Sequence, residues 1–247
     1  MGAQPEPLAS AGEGVPERTQ IVLGETVIDM AIHVETRDCT ALTDADLAEQ
    51  ADLAAAGTVF DIGQLSKAKE AWVLATTARC DEKLHGYMYS TLERIGGTPC
   101  VLLGLVAVKR SSKRDAVLKA LMHEAYHRAL MAFPDEDVLV GTRLVSPAGF
   151  EAFKQLDDIV PRPGHKAVGE ERAWGRRLAK RFQVDGFDEQ TFQVKGGGSY
   201  SPHIDHESLK TEPSELAPLF KGVKPAKGDC LIAFGWVMAE DLVKLGA

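Results

Sequence analysis

Val101-Leu102-Leu103-Gly104-Leu105-Val106-Ala107-Val108, continued by Lys109-Arg110-Ser111-Ser112-Lys113-Arg114-Asp115, is the stretch on which the fold turns. The first part is apolar at every position, so both of its faces must be buried, as in a strand at the centre of a covered sheet. The second part crowds Lys109, Arg110, Lys113 and Arg114 into six residues. It opens a helix over 115–131, in which Leu118, Leu121, Met122, Ala125 and Ala129 recur as one apolar stripe. A strand that delivers the chain into a helix leaves unpaired backbone N–H groups and the positive end of a dipole at the junction. That is an anion site.

Working outward, residues 71–80 read as a strand, Asp81-Glu82-Lys83 as a turn and 84–95 as a second strand; Gly96-Gly97 then turns into a third, over 99–108. Side chains repeat every two residues along a strand, so His85, Tyr87, Tyr89, Thr91 and Glu93 share one face, which lines a cleft or faces solvent. After Pro134, a strand is expected over 137–145, and Ser146-Pro147 opens a short helix through 156. A basic helix over 170–182 buries Trp174, Leu178 and Phe182. A strand over 187–195, a polar loop from Gly196-Gly197-Gly198 and a last strand over 229–238 follow. Upstream, residues 21–34 suit one or two strands, and Thr43 caps a helix that Gly57 ends. The expected class is α/β (α+β).

The 247 residues carry a net charge of −8, but residues 1–60 hold eleven acids and two bases, which leaves +1 on the rest. An acidic chain can therefore own basic faces. The second basic island comprises Arg162, Lys166, Arg172, Arg176, Arg177, Lys180 and Arg181. Cys39, Cys80, Cys100 and Cys230 have no CxxC spacing, which suits buried thiols in a reducing compartment. No run approaches the roughly 18 apolar residues of a membrane span, and the start has no signal-peptide pattern, so a cytoplasmic protein with no membrane partner is expected.

From about Trp72 to Leu156, the meander ending in a buried strand, the polar loop, the amphipathic helix, the next strand and the Pro-opened helix resemble the core of the GNAT acetyltransferases. The resemblance implies a mixed, mostly antiparallel central sheet flanked by helices. It implies one domain over 20–247, after a tail at 1–19, with an N-terminal elaboration and a loop insertion around 196–228. It also implies acyl transfer from acyl-coenzyme A to a small-molecule amine. The pyrophosphate would sit at the helix start and the thioester along the splayed edge of the preceding strand, so Val106, Val108, Lys109, Arg110, Ser111, Ser112, Lys113 and Arg114 become the donor-binding residues. Arg110 fits the family loop, whose glycines are absent here. The segment 147–156 has Phe150 and Phe153 where many relatives carry a Tyr acid. The amine must lose a proton, and Glu93 is the favoured base, with His85 and His206 in reserve.

Two other readings stay open. The Gly-less basic loop and Arg172, Arg176 and Arg177 suit a tRNA-borne aminoacyl donor. His123-Glu124-Ala125-Tyr126-His127 matches the HExxH zinc-hydrolase pattern, with His165, His203, His206 or Glu207 as third ligand. At about 100° per residue, both histidines point away from their own helix's apolar stripe, so a solvated outer face and no metal are expected. Oligomeric state is open, a homodimer among the options. The transferase reading needs the inner strand to splay from its neighbour at an unplugged junction.

Overall fold

The computed structural model describes residues 32–55, 60–196, 204–205 and 214–247. The expected tail and most of the first expected strand lie outside them. Among the described residues, nine strands form one sheet: β1 (Ile32–Asp38), β2 (Leu74–Cys80), β3 (Lys83–Ile95), β4 (Thr98–Val108), β5 (Val138–Leu144), β6 (Asp157–Val160), β7 (Gln193–Val194), β8 (Ile204–Asp205) and β9 (Cys230–Val237). Their order is β1-β2-β3-β4-β5-β9-β6, with β7 added on β9 and β8 on β4. Pairing is antiparallel except where β4 meets β5 and β8. The mixed, mostly antiparallel sheet is the expected one, and β4 is its inner strand, buried from Pro99 to Val108.

Helices α1 (Asp44–Ala55), α2 (Ile62–Ala71), α3 (Arg114–Ala132), α4 (Gly169–Arg181) and α5 (Ala239–Gly246) complete the fold. α3 covers one face so closely that a Cβ on Gly86 would lie 2.7 Å from Val117 Cγ1. The alternation of β3 sends Tyr89 to the other face, where its hydroxyl donates to Gln50 Oε1 of α1 at 2.7 Å. Gly141 of β5 faces Leu178 of α4. The four cysteines are free and buried, and burial pushes the Cys39 and Cys100 thiols up to about 12 and Cys230 to about 11.

Several expectations are corrected. The strand expected over 71–80 starts at Leu74, because α2 runs to Ala71. α2 is closed at its start by a capping box: Asp61 Oδ1 accepts from the Gln64 amide at 2.8 Å and Gln64 Oε1 from the Asp61 amide at 3.0 Å. The strand expected over 187–195 shrinks to β7 and one bridge between Phe187 and Val194. Between them, Asp188 Oδ1 takes the amides of Gln190 and Thr191 and makes a turn. The helix expected after Ser146 is a 3-10 segment, Pro147–Phe153. The aromatic row on β3 is neither cleft nor surface, since Tyr87 and Tyr89 are fully buried beneath α1. Among the described residues, no helix is long and apolar enough to cross a membrane.

Candidate active site

The site is built where β4 leaves β5. The two strands pair only at Cys100–Leu139, Val101–Val140 and Leu102–Gly141. Next, the Leu103 carbonyl accepts the Thr142 hydroxyl at 2.9 Å, so a side chain replaces the ladder. The cause lies in the sequence. Against β3, Tyr89 pairs with Leu105 and Ser90 with Leu103, which leaves Gly104 as the extra residue of a β-bulge. A bulge bends its strand and increases the local twist, here at the point of divergence. Trp72 lies on Gly104, and a Cβ there would stand 2.1 Å from the indole Cε2.

Beyond the divergence, β4 ends in the basic loop. The Lys109 amide donates to the His85 carbonyl at 2.7 Å, Ser111 Oγ accepts from the Lys113 amide at 3.3 Å, and α3 begins at Arg114 with no side-chain cap. Lys109 and Arg110 are exposed and Lys113 half-buried, whereas Arg114 is turned inward, 5% exposed, with its Nε 3.7 Å from Asp115. Three of the four loop cations are therefore accessible beside the α3 amino end. Val106 and Val108 are buried on the α3 face of β4.

The structure brings His85 together with this loop. It is the bulged residue of β3 against β2, and its Nδ1 is buried with no hydrogen-bond partner among the described residues. Burial, then Lys109 and Lys113, hold its pKa below the ordinary histidine value. Glu93 sits elsewhere, opposite Cys100 at the far end of the β3–β4 ladder. Its Oε1 accepts from Arg181 Nε at 2.5 Å, and the Arg181 guanidinium lies 6.0 Å from the Trp72 ring. Glu93 is thus linked through Arg181 and Trp72 to Gly104. His206, like His203 and Glu207, falls outside the described residues. Trp72, Gly104 and Thr142 were not singled out from the sequence, and Arg181 was read only as one cation of the second basic island. A glycine within an all-apolar strand is the one signal that points to the bulge.

Of the second basic island, Arg176 pairs with Glu189 at 2.5 Å and Arg177 lies over the Trp174 ring at 4.7 Å.

The HExxH stretch has a different job. His123 Nδ1 lies 2.6 Å from the Leu245 carbonyl and His127 Nδ1 2.6 Å from that of Gly246, so each ring donates to the last turn of α5. Glu124 Oε1 accepts from Thr36 Oγ1 at 2.9 Å and Arg128 Nε at 2.7 Å. α5 therefore covers the outer face of α3 only in part, with Asp115, Lys119 and His127 still exposed, and the motif acts as a clamp on a helix end whose carbonyls lack partners. Among the described residues, no group of three His, Cys, Asp or Glu side chains is placed to hold a metal ion. Replacing both histidines by alanine removes two hydrogen bonds of about 0.5–1.5 kcal/mol each and is expected to lower Tm by roughly 3–10 °C. Equimolar zinc in the purified native protein, absent from this variant, would overturn the clamp.

Comparison of the sequence with protein-family models and with curated proteins finds no match. Similar solved structures are found. The chain resembles GNAT-family acetyltransferases. A type Ii aminoglycoside 6'-acetyltransferase is 12% identical, with 53% of this chain and 87% of that one covered and a TM-score of 0.38. Escherichia coli ElaA is 16% identical over 54% of this chain and 94% of its own, with a TM-score of 0.35. A GNAT-family acetyltransferase from Brucella melitensis, solved with acetyl-CoA, is 18% identical over 44% and 75%, with a TM-score of 0.31.

Proposed function

We propose that this protein is an N-acyltransferase that moves an acyl group from acyl-coenzyme A to an amine of a small molecule. The observation that carries the reading is the divergence of β4 from β5 immediately before an uncapped helix start that bears Lys109, Arg110 and Lys113. In this reading, those cations and the first N–H groups of α3 hold the donor's phosphates. The edge of β4 from Gly104 to Val108 lies along the acyl arm. Transfer itself needs little more than alignment of the two reactants and a proton acceptor for the amine. Glu93, oriented by Arg181, takes that proton directly or through one water, and His85 stands at the phosphate end.

Acetyl-coenzyme A is expected to bind the purified protein in calorimetry, and release of free coenzyme A is expected with a suitable amine from a panel of small molecules. Glu93→Gln should keep the binding and slow the release. If neither acetyl-coenzyme A nor longer acyl thioesters bind, the reading fails.

A further inference from the structure

After Leu102, β4 no longer pairs with β5, and beyond that point the Thr142 hydroxyl donates to the Leu103 carbonyl. An open strand edge is a row of N–H and C=O groups that attracts any extended backbone. In this fold, the chain itself supplies one. β8 pairs in parallel with β4, Ile204 with Val106 and Asp205 with Ala107. Its other side approaches the 3-10 segment that follows β5. β8 thus stands in the wedge between the diverging strands, on the residues just before the basic loop. Its described residues, Ile204 and Asp205, are the ones that make this ladder.

We propose that β8 is an internal competitor of the acyl donor: it occupies the β4 edge at Val106–Ala107 that the donor's arm takes, and donor binding displaces it. The inference rests on the acyl-donor reading above. The physical reason is exclusion. A strand edge offers each backbone group once, so β8 and an extended amide-bearing arm cannot both pair with the same two residues. The apparent donor affinity is then the intrinsic affinity scaled by the fraction of molecules in which β8 has left.

Ile204→Pro removes one of the two described amides of β8 and fixes its backbone in a way that disfavours strand pairing. This variant is expected to bind acetyl-coenzyme A about tenfold more tightly than the native chain by calorimetry. In the native chain, saturating acetyl-coenzyme A is expected to speed hydrogen exchange at the Ile204 and Asp205 amides while Val106 and Ala107 stay protected. Equal affinity in the two proteins, with unchanged exchange at 204–205, overturns the competitor and leaves the donor reading intact. Absence of binding in both proteins refutes the donor reading and removes the competitor with it. Should the variant fail to fold, the exchange measurement on the native chain decides alone.

Discussion

Replacing Lys109, Arg110 and Lys113 together by alanine is expected to weaken acetyl-coenzyme A binding by roughly 100- to 1000-fold. Each charge-assisted contact to a phosphate contributes on the order of 1–1.5 kcal/mol at an exposed site, and a tenfold change in affinity is about 1.4 kcal/mol. The fold should not suffer, because Lys109 and Arg110 project into solvent and the turn is held by backbone and Ser111 contacts. A steep loss of native affinity between low and moderate salt should accompany the effect, since contacts of this kind are screened. Unchanged affinity in the triple variant, with native thermal stability, would mean that the donor is held elsewhere. Addition of tRNA under the same conditions separates the two donors, because a tRNA-borne donor must compete with acetyl-coenzyme A for this loop.

Gly104→Ala is expected to be the most destabilising of the glycine substitutions tested singly. The new Cβ would meet the Trp72 indole at 2.1, 2.5 and 2.5 Å, and Trp72 cannot retreat easily, being buried and in contact with Phe182. Overpacking of this kind costs about 3 kcal/mol, which for a chain of this size lowers Tm by roughly 6–12 °C. Gly169→Ala is the control, since nothing lies within 4 Å of the added carbon at the start of α4. Trp72→Leu in the Gly104→Ala background should restore part of the loss, because the pair is in contact and its effects are not additive. If Gly104→Ala melts with the native protein, the bulge is not locked by the indole, and the account of why β4 leaves β5 is wrong.

The parts of this fold that periodicity encodes were readable. An all-apolar run gave the inner strand, a 3.6-residue stripe gave α3, and paired glycines gave the β3–β4 hairpin. The loop and its cations followed from adjacency alone. What escaped depended on partners distant in sequence. The pairing of Ile204 and Asp205 with β4 joins residues far apart in the chain, which no local period displays. The aromatic face of β3 could be assigned to core only once α1 was known to lie on it. His123 and His127 copy a zinc motif letter for letter, yet their partners are carbonyls about 120 residues later. α2 is a different case: Asp61 and Gln64 form a capping box that the sequence displays openly, and the signal was there to be used.

The buried thiols have a practical consequence. Cys39, Cys80, Cys100 and Cys230 are all shielded, and desolvation keeps each in its unreactive protonated form near neutral pH. A fluorophore or spin label attached to one cysteine introduced at the surface would therefore report on that position alone, with no need to strip the native four.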